Sequence, residues 1–174
     1  MALTVSAPRR ADASLQRLER LYGECRDDLY AYLASMLRDR SLAEDLTALA
    51  FERAFRRRRL FNPRRGSERA WLFGIARNAA LDELRRRKRH TMLPDEAPPE
   101  EGRQEESEGV LRRVTVEAAL AGLAPREREL VALKFHAGLS NPEIARVLGV
   151  SESNAGTLLH RTITKLRKAC DEEL

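Results

Sequence analysis

Near its C-terminus the chain sets Asn154, Thr157, His160, Arg161 and Lys165 at helical spacing, with Ser153 and Gly156 on the same stretch. Guanidinium and ammonium groups suit phosphates or guanine edges, and an asparagine carboxamide matches the edge of adenine. The preceding segment, Leu139-Ser-Asn-Pro-Glu-Ile-Ala-Arg-Val-Leu-Gly-Val-Ser-Glu-Ser-Asn154, gives that spacing its meaning. Ser140 to Glu143 reads as a capping box, with Pro142 in the first turn, where its missing N–H costs nothing. Ile144, Ala145 and Leu148 face inward. Gly149 is free to take the left-handed conformation that ends a short helix, and Ser151 caps the next. A short helix, a glycine turn and a longer helix make a helix-turn-helix, whose second helix enters the major groove. The competing reading, a plain helical hairpin with a solvated face, requires both caps, the glycine and the spacing to coincide by chance.

Catalytic chemistry finds little to work with. An enzyme acting on nucleic acid needs a carboxylate cluster for a metal, or a nucleophile with a base. Asp27/Asp28, Glu44/Asp45 and Asp82/Glu83 are tight acidic pairs before residue 94, but adjacent residues point to different sides of a helix. His90, His136 and His160 lie far apart with no motif around them. Cys25 and Cys170 form neither a disulfide framework nor a zinc pattern; Cys25 reads as a small core residue. No cofactor, no metal and no catalysis are expected. A thiol-bearing chain without a signal peptide or an apolar run long enough to cross a bilayer is expected in the cytoplasm, without membrane insertion.

The elements that must carry these residues are helical. From Leu15 to Leu37 the residues Leu18, Leu21, Tyr22, Cys25, Leu29, Tyr32, Leu33 and Met36 recur at helical spacing. Ser41-Leu-Ala-Glu44 predicts a capping box for a second helix, with Leu42, Leu46, Ala50, Ala54 and Phe55 inward, ending in Arg56–Arg59. Phe61-Asn-Pro-Arg-Arg-Gly66 is a loop by its proline and glycine. Ser67 caps a third helix with Trp71/Leu72, Ile75/Ala76, Ala79 and Leu84 inward, ending in Arg85–Arg89. Further helices are expected over Val110–Leu123, Arg126–His136, Pro142–Leu148 and Ser151–Ala169. Residues 94–109 hold three prolines, seven acids and no large apolar side chain, so they cannot pack a core. Net charge is +9 over residues 1–93, −6 over 94–109 and +2 beyond, although 28 arginines against four lysines weaken any inference from basicity alone. The expected fold is all-α: a disordered tail over 1–14, a helical domain over 15–93, a flexible acidic linker over 94–109, and a helix-turn-helix domain over 110–174.

Two stretches together resemble RNA polymerase sigma factors of the sigma-70 family, extracytoplasmic-function group. LAPREREL-VALKFHAGLSNPEIARVLGVSESNAGTLLHRTITKLRK, residues 123–168, looks like that group's C-terminal domain. Ala43 to Arg89, with AEDLTALAFERAFRR and FNPRRGSERAWLFGIARNAALDELRRRKR, looks like its N-terminal domain. The resemblance implies a protein that binds core RNA polymerase, through the beta-prime clamp and the beta flap, and directs promoter-specific initiation. The C-terminal helix would read the minus-thirty-five element through Ser153, Asn154, Gly156, Thr157, His160, Arg161 and Lys165. The N-terminal domain would melt the minus-ten element, trapping an unstacked base with donors and positive charge nearby. That role falls to Trp71, Arg77 and Asn78 beside the 61–68 loop, with Arg85, Arg86, Lys88 and Arg89 on phosphates. Trp71 stands between two readings, packing and base contact, and the Arg56–Arg59 run between a solvated helix end and a DNA contact. Asp45, Ala48, Leu49 and Glu52 fall where the clamp is met, although Ala48 and Leu49 replace a usual polar pair. Gly156 and Leu158 stand where many members carry basic residues. An anti-sigma factor is a further implied partner. The acidic stretch reads either as a tether or as an anionic segment drawn to a basic channel. The alternative for the whole chain, a free-standing helix-turn-helix regulator working without polymerase, leaves residues 15–93 without a purpose.

Overall fold

The computed structural model describes residues 10–90 and 116–172, and every regular element among them is a helix. The order is α1 (Arg10–Leu37), α2 (Arg40–Arg57), two short 3-10 turns (Arg58–Leu60 and Pro63–Arg65) and α3 (Glu68–His90). A helical stretch over 116–121, α4, then precedes α5 (Pro125–Phe135), α6 (Asn141–Leu148) and α7 (Glu152–Glu172). The all-helical architecture expected from the apolar spacing is present, with the helix-turn-helix in the second group. The expected linker, 94–109, lies outside the described residues, as do 1–9. Helix α1 begins at Arg10, before the apolar repeat that marks it in the sequence.

Helices α1, α2 and α3 pack on one another along Leu21, Cys25, Leu29, Tyr32 and Leu33 from α1, all buried. Ala43, Ala50 and Ala54 of α2, and Ala70, Ala76, Ala79 and Ala80 of α3, are buried small residues that let these axes approach closely. The Tyr32 and Phe73 rings meet edge-on at 5.4 Å. Each fully buried leucine or phenylalanine here is worth about 1.5–3 kcal/mol of transfer free energy. In the second group Leu130, Leu133, Leu139 and Ile144 make the equivalent centre.

The start of α2 departs from expectation. Asp39, not Ser41, is the N-cap: its carboxylate accepts the Leu42 N–H at 2.9 Å, and Ser41 already lies inside the helix. Arg87 of α3 donates to the other Asp39 oxygen at 2.8 Å, a partner 48 residues away that the local sequence cannot advertise. Arg38, at φ 53°, makes the left-handed step between α1 and α2.

The two helical groups are not separate cores. Helix α5 packs on α1 and α6 packs on α3, and the buried residues of both groups join in a single apolar cluster.

Candidate nucleic-acid interfaces

The helix-turn-helix forms as its residues dictate. The Glu143 carboxylate accepts the Ser140 backbone N–H at 2.9 Å and its hydroxyl at 2.8 Å, and Pro142 sits in the first turn of α6. Gly149 ends α6 at φ 68°, its N–H turned back to the carbonyls of Ala145 and Arg146. The Ser151 hydroxyl accepts the Asn154 N–H at 3.2 Å, starting α7. Ala155, Leu159 and Thr162 are buried against the group. That packing turns Ser153, Asn154, Thr157, His160, Arg161 and Lys165 outward together, all exposed. Gly156 is half-buried instead; a Cβ there would stand 3.8 Å from the Asn141 side-chain nitrogen, on the α6 side of the helix. Lys165 is engaged already, at 2.8 Å from Glu127 of α5. Its ammonium, followed by the Ala124 N–H, holds the Glu127 carboxyl below the usual range.

In the first group the loop after α2 and the middle of α3 enclose a cavity of about 410 Å³. Its walls include Phe61, Asn62, Gly66, Trp71, Asn78 and, from α6, Arg146. The loop is held by its own chemistry. Asn62 accepts the Arg64 N–H at 3.0 Å, Gly66 takes φ 145°, and Ser67 caps α3 by accepting the Ala70 N–H at 3.1 Å. Trp71 is half-buried, tilted against Phe61 with centroids 5.5 Å apart, so it both packs and lines the cavity. Asn78 is exposed at the rim.

Further along α3, Arg85, Arg86, Lys88 and Arg89 are all exposed. Arg85 pairs with Asp82 at 3.3 Å, and Arg86 forks onto Glu83 at 2.8 and 2.9 Å. The Arg86 fork, outweighing desolvation, keeps the Glu83 carboxyl low. On α2 the residues Asp45, Ala48 and Glu52 are exposed, with Leu49 half-buried beside them, a spacing that puts them on one face. Glu52 pairs with Arg56 at 2.7 Å.

Arg77 stands elsewhere than its neighbour Asn78. Its guanidinium pairs with Glu129 of α5 at 2.5 Å, with side chains only 20% and 8% exposed. Tyr32, fully buried, donates its hydroxyl to the same carboxylate at 3.4 Å; burial, then the Glu129 charge, pushes the Tyr32 phenol well up. Two more polar contacts join the groups. Arg69 of α3 donates to the Ala137 carbonyl while also pairing with Asp28, and Ser67 donates to Glu143. Burial raises the Glu143 carboxyl, but the hydrogen bonds from Ser67 and Ser140 outweigh it, and the net displacement is downward. None of Arg69, Glu129 or Glu143 stands out as an inter-group contact in the sequence. An acid on the buried side of α5 was the available signal, and it names no partner.

Residues 21–90 match the family model for Sigma-70 region 2, and residues 113–166 the model for Sigma-70 region 4. The sigma factor CarQ of Myxococcus xanthus is 33% identical, over 92% of this chain and 93% of its own. The extracytoplasmic-function sigma factor SigL of Mycobacterium tuberculosis is 29% identical, over 97% of this chain and 96% of its own. Among solved structures, sigma factor RpoE of Bartonella quintana, bound to the anti-sigma factor NepR, shares the fold. Its TM-score is 0.76 at 22% identity, covering 90% of this chain and 98% of that one. CnrH, solved with the cytosolic domain of CnrY, has a TM-score of 0.66 at 26% identity, over 94% of this chain and 96% of its own.

Proposed function

We infer the division of labour in this molecule from one premise: the chain belongs to the extracytoplasmic-function group of the sigma-70 family and directs promoter-specific transcription initiation by RNA polymerase. Sigma factors are not catalysts; they lend sequence recognition to an enzyme.

The exposed face of α7 reads duplex DNA upstream of the start site, at the minus-thirty-five element. Asn154 and Arg161 carry donors fit for base edges, and Lys165 supplies a phosphate contact once Glu127 releases it. The N-terminal group takes the minus-ten element. A base that leaves the stack needs an aromatic wall, hydrogen-bonding groups and a shape that admits one ring. The cavity between Trp71, Phe61, Asn62 and Asn78 supplies these, and its aromatic–amide lining is the observation that carries the reading. Arg85, Arg86, Lys88 and Arg89 continue outward along α3 as a track for the displaced strand's phosphates. The face of α2 bearing Asp45, Ala48, Leu49 and Glu52 meets the beta-prime clamp, and the C-terminal group meets the beta flap. Residues 15–93 and 110–174 are accordingly the working units, with 94–109 connecting them. An anti-sigma protein is a further partner that membership of the group implies.

The test is run-off transcription by purified core polymerase on sheared host genomic DNA, with and without the chain. Discrete new transcripts that depend on the chain are expected, and their starts define the promoter. Failure to elute with core polymerase, with no such transcripts, would overturn the reading in favour of a regulator that works without polymerase.

A further inference from the structure

A single exposed apolar side chain is ordinary on a protein surface and needs no explanation; Leu60 is set apart by where it stands. It is the most exposed large apolar residue among the described ones, at 76%, yet it also lines the cavity walled by Phe61, Trp71 and Asn78, and so stands at its mouth. It is held there by its neighbours. Leu60 ends the 3-10 turn Arg58–Leu60. Before it, Arg58 lies 4.3 Å over the Phe55 ring and donates to the Phe55 carbonyl at 2.8 Å. After it, Phe61 is braced against Trp71. The surrounding charge is of one sign. Arg57 and Arg65 line the same cavity, both exposed and neither paired with an acid, and no acidic side chain is among the described residues that line it.

We propose that Leu60 is a wedge for strand opening: it enters the base stack of the minus-ten element and fills the gap left when the neighbouring base turns into the cavity. This rests on the reading that the cavity takes an unstacked base. A base that swings out leaves its former neighbours with bare apolar faces, and their exposure to water favours its return. An apolar side chain pushed between base steps covers those faces and holds the steps apart, a use to which leucine, phenylalanine, isoleucine and methionine are all suited. A leucine kept in water before DNA arrives gains its burial free energy when the stack closes over it. Arg57 and Arg65, free of acids, hold phosphates beside it and fix the backbone while the leucine acts on the bases. Cavity and wedge thus divide the work: one holds the base outside the stack, the other keeps its place from refilling.

The test uses the full chain with core polymerase and two templates built on the promoter found from genomic DNA. One is fully paired; the other carries mismatches across the minus-ten element, so that its strands are already apart. Leu60→Ala removes the wedge, Leu60→Gln keeps its length but makes it polar, and Leu60→Met keeps it apolar. The exposure of Leu60 lets all three fold as the parent does. Permanganate reactivity of unpaired thymines, followed in time, gives the rate of opening. On the paired template the alanine and glutamine variants should open about tenfold more slowly, as loss of part of one leucine's burial free energy gives, and the methionine variant should stay near the parent. On the mismatched template all four chains should form the open complex at the same rate. Equal rates for the parent and Leu60→Ala on paired DNA would overturn the proposal, and so would a methionine variant as slow as the alanine one. A deficit of the same size on mismatched DNA would place Leu60 in binding instead of opening. Failure of the parent chain to open the paired promoter would instead overturn the sigma reading itself, and the wedge with it.

Discussion

Asp39 accepts an amide at the start of α2 and an arginine from the end of α3, so one carboxylate joins two helices that meet far apart in the chain. The Leu42 N–H first, and then Arg87, holds its carboxyl below the usual range. An acid held low in the folded state contributes stability above its unfolded value, and that contribution is lost as pH falls through the lowered one. Asp39→Ala should cost about 1 kcal/mol in urea unfolding near pH 7 through loss of the cap. Asp39→Asn, which keeps the cap acceptor, should cost less and should soften the decline in stability below about pH 4. An alanine variant as stable as the parent would show that Ser41 takes over the cap. Asn78 belongs to this scale as well: at the cavity rim it has room to meet an unstacked base. Asn78→Ala should reduce open-complex formation roughly 10-fold or more, as loss of one or two well-placed hydrogen bonds would, with affinity for core polymerase unchanged. Permanganate reactivity of unpaired thymines measures the first and co-elution the second. Unchanged reactivity would remove Asn78 from the pocket.

Helices α6 and α7 depend on how the chain turns between them. Gly149 at φ 68° is in the region where a Cβ meets the following carbonyl, yet open space surrounds the position, so backbone strain alone sets the cost of substitution. Gly149→Ala should therefore lose roughly 1–2 kcal/mol, lowering the melting temperature by a few degrees, about 2–8 °C. Gly149→Asn should lose less, because a short polar side chain tolerates the left-handed region. A calorimetric scan of both variants separates strain from packing: equal losses would mean that the turn rearranges. This element was legible in the sequence because its determinants are neighbours. The proline, the serine caps, the glycine and the apolar spacing all act within one turn of where they stand. Ser67 was legible for the same reason, and Asp39 was missed because Ser41-Leu-Ala-Glu44 offered a local pattern while the true cap drew part of its hold from α3.

At the scale of the whole molecule, exposed basic side chains are spread over two faces, Arg161 and Lys165 on α7 and Arg85, Arg86, Lys88 and Arg89 on α3. Neutralising phosphates releases counterions, so promoter binding by holoenzyme should weaken steeply with salt. Arg161→Ala should lower upstream-element affinity. If Arg161 contacts a phosphate, the log–log salt slope should fall by about 1, whereas a loss confined to cognate sequence marks a base-edge contact. Filter binding across a salt series distinguishes the two, and equal affinity and slope would remove Arg161 from the interface. The sequence by itself determined the helical class, the helix-turn-helix and its outward polar face, because helix periodicity, caps and turns are short-range properties of the chain. It also located the residues around the 61–68 loop and Asn78 that come to wall one cavity. Only the tertiary structure decided that Arg77 meets Glu129, that Ser67 meets Glu143 and that both helical groups share one apolar cluster. Those pairings join residues 52 and 76 positions apart. Nothing in a local pattern selects among the many arginines and acids that could pair at such range; shape and burial select them when the helices pack.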